Sequence, residues 1–232
     1  MNKKDHLLNF LTFAAQQPQG FVYRGTPASG ISTTEEHSQS SSGDKKKRLE
    51  SLFLPCVHCT ACPLATQGRS QVVFGHGNTN TQLMFVGEGP GRDEDEQGLP
   101  FVGRAGQLLT KIIEAMKLTR EDVYISNVVK CRPPGNRTPL PQESDTCKNL
   151  LLLKEIEIIQ PKIICTLGAT AVQALLGDEI KITQARGIFH AYANIPVMPT
   201  YHPAYLLRNP DAKRVVWEDM KKVIERLKEL GA

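Results

Sequence analysis

The sequence predicts an α/β fold: a three-layer α/β/α arrangement around a central, mostly parallel sheet of four strands, preceded by an N-terminal extension. Three observations lead there. From about residue 80 onward, compact apolar runs of strand length alternate with stretches of helical periodicity. The runs end in glycine or in turn-forming residues, as strands do when they feed loops at one rim of a parallel sheet. Ahead of them, residues 26–47 (TPASGISTTEEHSQSSSGDKKK) hold almost no large apolar side chains and cannot bury enough surface to offset the entropy of ordering.

In chain order, residues 1–50 are expected to be an appendage, with a short helix over 5–16 and a disordered linker over 26–47. A single domain is expected over 51–232. QLMFVG at 82–87 is the first buried strand. Residues 104–117 place Leu108, Leu109, Ile112, Ile113 and Met116 at helical spacing. DVYISNVV at 122–129 is the second strand. Residues 141–159 form a helix through Leu150, Leu151, Leu153, Ile156 and Ile158. Pro161 opens the third strand, KIICTLGA at 162–169, and a short helix follows over 169–176. Residues 187–200 read as a hairpin whose second arm, IPVMPT, is the last strand. The final helix, 211–230, carries Val216, Met220, Val223, Ile224 and Leu227 on one stripe.

Composition excludes little. Hydrophobic residues make up 40% of the 232 and the formal charge is +4, mildly basic and compatible with nucleic acid. No run approaches the ~18 apolar residues of a membrane span, and Asp5 and His6 interrupt the lysine-led start. A cytoplasmic protein is expected. Arg92, Arg104, Arg132, Arg137 and Arg208 stand beside glycine and proline turns; each by itself reads as solvated surface.

Chemistry concentrates at the strand ends. The first strand runs into Gly87-Glu88-Gly89-Pro90-Gly91, whose glycines admit a ligand close to backbone N–H groups. No phosphate-loop spacing is present, and the acidic run Asp93-Glu94-Asp95-Glu96 would repel phosphate. That run also reads as the first turn of a helix, favoured by its dipole. The second strand ends in Ser126-Asn127. An amide on an apolar strand must be hydrogen-bonded, to the fold or to a ligand, and its adjacent donor and acceptor suit a nucleobase edge. The last strand ends in Thr200-Tyr201-His202-Pro203-Ala204-Tyr205-Leu206-Leu207-Arg208. Here a histidine precedes an apolar tip and an arginine, the layout of a loop that wedges a duplex and grips phosphate.

Together, GEGPGRDEDEQGLPFVGRAGQLL, VYISNVVKCRPPGNRTPLP and HPAYLLRNP make residues 52–230 resemble the family-4 uracil-DNA glycosylases, the iron–sulfur branch of that superfamily. The resemblance implies an enzyme that flips uracil out of DNA and hydrolyses its N-glycosidic bond, leaving an abasic site for base excision repair. It implies a uracil pocket lined by Glu88 and Gly89, with Phe101 stacked on the base, Asn127 reading its Watson–Crick edge and His202 at O2. Glu94 is expected near C5, and Asn136 is linked to placing water; Glu88, Gly89, Asn136 and His202 form the expected catalytic set. Arg104, Arg132, Arg137, Leu206 and Arg208 are the expected DNA contacts. The alternative is an inactive iron–sulfur nucleic-acid-binding protein of the same fold. A monomer is expected.

Six cysteines, at 56, 59, 62, 131, 147 and 165, are spaced for metal rather than disulfides in a reducing compartment. Spacing alone does not separate four-cysteine zinc from an iron–sulfur cluster. The resemblance implies Cys59, Cys62, Cys131 and Cys147 around a structural [4Fe–4S] cluster, with zinc as the lesser alternative. It leaves Cys56 out, and Cys165 reads as a buried small hydrophobe. Leu99 departs from the family pattern, which often has arginine there.

Overall fold

The computed structural model describes residues 42–231. The expected helix over 5–16 and most of the expected linker lie outside them. The linker reading fails at its end: residues 42–47 begin helix α1, Ser42–Phe53. Leu49 and Phe53 are buried in the core, with the Phe53 ring stacked on Phe74 at 4.4 Å; Leu52 packs against that core, and Lys45 Nζ donates to the Ile159 carbonyl at 2.7 Å. The helix thus begins before residue 51, held by tertiary packing rather than by its own propensity.

The strands are β1 His76–Gly77, β2 Leu83–Gly87, β3 Tyr124–Asn127, β4 Ile163–Leu167, β5 His190–Tyr192 and β6 Ile195–Thr200, in the order β1-β3-β2-β4-β6-β5. The four expected strands are the central ones, β3-β2-β4-β6, all parallel. Each edge gains a short antiparallel strand, β1 on β3 and β5 on β6. β1 is too short to leave a periodic signal. The β5–β6 turn is the Ala193-Asn194 pair, both at positive φ (46° and 67°), which matches the twist of a tight hairpin.

The remaining helices are α2 Arg92–Gln97, α3 Arg104–Ala115, α4 Pro141–Cys147, α5 Leu153–Ile159, α6 Ala169–Leu176, α7 Ile182–Ala185, α8 Pro203–Arg208 and α9 Ala212–Glu229. The single helix expected over 141–159 is two α segments joined by a wider π-helical stretch, Lys148–Leu152, immediately after Cys147. Two cores flank the sheet. On one face Met84, Val86, Tyr124 and Val128 meet Leu49 and Phe53 of α1, Ile156 and Ile159 of α5, and Ala171 of α6. On the other, Leu83, Phe85 and Ile125 meet Leu109 and Ile113 of α3, Leu206 of α8, and Met220 and Val223 of α9. Alternate residues of each strand serve opposite cores, as the pleat requires. No helix among the described residues is long and apolar enough to cross a membrane.

Candidate active site

From β2 the chain moves outward to β3, then crosses back past β2 to β4 and on to β6 in the other direction, so the carboxyl ends of β2 and β4 form the switch point where open α/β sheets bind ligands. A cavity of about 670 Å³ opens there. Glu88, Gly89, Glu94, Phe101, Asn127, Asn136 and His202 all line it, so the seven residues expected to bind or act on a base share one chamber. Gly87 makes the convergence possible. A Cβ there would occupy the space taken by the Phe101 ring and the Asn127 carboxamide.

Asn127 is 2% exposed, and its Oδ1 is buried without a hydrogen-bond partner. An orphaned acceptor at this depth costs roughly 1–3 kcal/mol, a cost that a ligand donor in the cavity would relieve. Phe101 is buried and held at φ 55°, a left-handed conformation that a bulky residue adopts only when its surroundings impose it. Those surroundings are visible. Arg120 donates to the carbonyls of Pro100 and Phe101 at 2.9 and 3.1 Å. Gly106 lets α3 pack directly on the Phe101 carbonyl, where any side chain would collide.

His202 caps α8. Its Nδ1 accepts the Ala204 N–H at 3.1 Å, so in the neutral ring the proton sits on Nε2. Burial lowers its pKa to about 4, helped by the nearby Arg208 charge. The ring lies 5.5 Å from Phe101, centroid to centroid. Glu88 is fixed by the Thr170 hydroxyl, which donates to its Oε2 at 2.5 Å.

The acidic run resolves into separate duties. It does form the first turn of a helix, α2. Glu94 lines the cavity, but its carboxylate accepts the N–H groups of Gly91, Val102 and Gly103 at 2.9–3.0 Å, which makes it a staple for the loop bearing Phe101. Buried Asp95 accepts the Ser70 N–H at 2.9 Å and so anchors the segment that follows the first cysteines. Glu96 pairs with Arg92 at 2.9 Å.

The expected DNA contacts divide. Arg104 and Arg208 are exposed at the cavity rim. Arg132 is half-buried and donates through Nε to Asn136 Oδ1 at 2.7 Å. Arg137 also lines the cavity, yet its guanidinium forms a two-pronged pair with buried Glu143 at 2.7 and 2.8 Å, so its charge is already matched within the fold. Leu206 is not an exposed wedge. It is 1% exposed, turned into the core by the helical geometry of α8, and the exposed apolar groups of that helix are Tyr205 and Leu207.

Around the cysteines, Cys131 and Cys147 are buried, Cys56, Cys59 and Cys62 are half-buried, and none is in a disulfide. Burial raises the Cys131 thiol pKa; Arg69 opposes this, and the neighbouring Cys62 and Cys59 add to it. Burial likewise pushes Cys147 up to about 12, with Cys131 and Cys62 contributing. Cys56 is raised by burial and then by Cys59 alone among the cysteines. Cys62 is thus felt by Cys131 and Cys147, and Cys59 by Cys62 and Cys131, while Cys56 feels Cys59 alone among the cysteines. Arg69 donates to Cys131 Sγ at 2.7 Å and the Lys130 N–H to Cys147 Sγ at 3.3 Å, a donor environment that suits thiolate sulfur. Among the described residues no three His, Cys, Asp or Glu side chains gather tightly enough to hold a single metal ion.

Several of these residues left little trace in the sequence. Arg120, Thr170 and Arg69 act through backbone or partner groups and belong to no motif. Lys130 did leave one: it is a charge inside an otherwise apolar run, VVKC.

Comparison with known proteins gives a consistent picture. Residues 74–221 match the model of the uracil DNA glycosylase superfamily. The chain is 50% identical over 177 residues to a type-4 uracil-DNA glycosylase of Thermotoga maritima, covering 75% of this chain and 91% of that protein. It is 43% identical over 186 residues to the type-4 enzyme of Sulfurisphaera tokodaii, covering 76% and 84%. Similarity to a type-5 uracil-DNA glycosylase of Pyrobaculum aerophilum is lower, 30% over 202 residues, covering 73% and 88%.

Proposed function

Because the chain belongs to the type-4 branch of the uracil DNA glycosylase superfamily, we propose that it hydrolyses the N-glycosidic bond of deoxyuridine in DNA and leaves an abasic site for base excision repair. The observation that carries this reading is the partnerless Asn127 Oδ1, buried in a chamber also lined by Phe101 and His202. Uracil rotated out of the duplex, at a cost of roughly a few kcal/mol, stacks on Phe101. Its N3–H meets Asn127 Oδ1, and its O4 meets the amide N–H. Cytosine reverses both partners and leaves both groups unpaired, a strong basis for rejection.

As the bond breaks, negative charge collects on N1 and O2 of the base. The Nε2–H of neutral His202, held by the cap on Nδ1, is the donor for that charge. A preorganised donor of this kind typically lowers the barrier by ~3 kcal/mol. Asn136 and Gly89, both lining the cavity, are the residues assigned to placing the attacking water, and Arg104 and Arg208 at the rim are the ones assigned to phosphates.

Cys59, Cys62, Cys131 and Cys147 would hold a [4Fe–4S] cluster. A single zinc ion needs its sulfurs about 2.3 Å from one centre, whereas a cluster takes one thiolate per iron and spreads them further apart. Its contribution is structural: it joins the 56–62 loop to the segment 131–147. A monomeric, cytoplasmic enzyme completes the reading.

The test is a uracil-containing oligonucleotide incubated with the protein and then cleaved with alkali. Strand cleavage at uracil and not at cytosine is expected; an uncut strand rejects the reading. Phe101→Ala should lower excision by about tenfold or more while leaving nonspecific DNA affinity within about twofold, because stacking acts only on the flipped base.

A further inference from the structure

Beneath the base-reading amide lies an ion pair that the reaction does not use. Lys130 and Glu155 both have fully buried side chains, with Nζ and Oε2 2.6 Å apart. Lys130 Nζ also donates to Ser126 Oγ at 2.5 Å and to the Asn127 carbonyl at 2.8 Å, which occupies all three of its donors. Glu155 Oε2 accepts the Ser126 hydroxyl at 2.7 Å, and its Oε1 accepts the Gly75 N–H at 3.1 Å. A buried pair of this kind is seldom more stable than apolar side chains of the same size. Stability alone therefore does not account for it, but its position does.

β3 turns Ser126 toward α5 and Asn127 toward the cavity, and Lys130 grips both residues from the α5 side where the strand ends. The backbone of Lys130 is fixed as well: its N–H donates to Cys147 Sγ, and its carbonyl accepts the Val73 N–H at 2.7 Å. One residue thus touches the backbone carbonyl of Asn127 at one end and the sulfur of Cys147 at the other.

We propose that the buried Lys130–Glu155 pair is a positioning device for Asn127, fixing the end of β3 so that the carboxamide meets a pyrimidine edge in register. This rests on the uracil-excising reading of the cavity. It assigns to two residues behind the sheet a part in base selection that neither could play by contact.

The test is the double variant Lys130→Met with Glu155→Gln, which removes both buried charges and keeps an acceptor for Gly75. The expected protein melts within a few degrees of the parent, retains its iron and binds abasic-site DNA as before. Its single-turnover excision of uracil should fall about tenfold or more, and inhibition by free uracil should weaken by a similar factor. Excision and free-uracil inhibition within about twofold of the parent would overturn the proposal. Should the double variant fail to fold, Ser126→Ala removes the hydroxyl linking the pair to β3. It should lower excision roughly three- to tenfold with melting unchanged, and parental excision would again overturn the proposal. If the parent itself left uracil uncut, the functional reading would fall. Free-uracil titration of parent and variant would then still decide whether the pair places Asn127.

Discussion

His202 reaches the cavity with Nδ1 already committed to the Ala204 N–H. That bond exists only because His202 caps α8, so the active tautomer is set by a helix start rather than by another side chain. The depressed pKa, about 4 against 6.5, has a definite sign. Above pH 6.5 the folded and unfolded chains both hold the ring neutral. As pH falls from 6.5 to about 4 the unfolded chain takes up a proton that the folded one refuses, so stability drops across that window and the loss saturates below it. The Nε2–H donor survives throughout the window. Single-turnover excision between pH 5 and 8 should therefore show no inflection near 6.5; an acid limb centred there, absent in His202→Asn, would contradict a neutral donor. The histidine and Asn127 were legible in the sequence because polar groups at the ends of apolar strands stand out. The tautomer, the orphaned Oδ1 and the clamp of Arg120 on Phe101 were not, because each depends on backbone atoms brought in from elsewhere in the chain.

At the scale of elements, α8 shows where pattern reading stops. The string AYLLR reads as an apolar tip, and only its helical winding decides that Leu206 turns inward while Tyr205 and Leu207 face out. Leu206→Ala should then act as a core truncation costing ~2–5 kcal/mol, seen as a lowered melting temperature. Tyr205→Ala should leave melting nearly unchanged and weaken DNA binding through lost stacking worth ~1–3 kcal/mol. The reverse pattern would return Leu206 to the DNA. The long elements were readable in advance, since β2, β6 and α6 carry uninterrupted apolar runs or stripes. α1 was not, because GDKKKRLESLF offers little periodicity and its helix depends on the docking of Leu49 and Phe53. The π-helical stretch after Cys147 was equally invisible, since an apolar stripe does not register one widened turn.

For the whole molecule, the cysteines of 59–62 lie beside Cys131, far along the chain. If Cys59, Cys62, Cys131 and Cys147 are the ligands, Cys59→Ser should lose iron and Cys56→Ser should retain it, measured as iron per chain and visible absorbance. Iron loss in the Cys56 variant would reassign the set. The four central strands and their helical layers were legible from alternation alone, and β5 as the first arm of the expected hairpin, but β1 was not, being two residues long; both edge strands are short, β5 only three residues. That brevity has a consequence of its own. Exposed rims of sheets invite neighbouring chains to add on, and stubs this short give an incoming strand nothing to zip along. The protein should therefore stay dispersed when concentrated, even though its interior is built from the same aliphatic ribbons that drive fibre growth in less guarded folds.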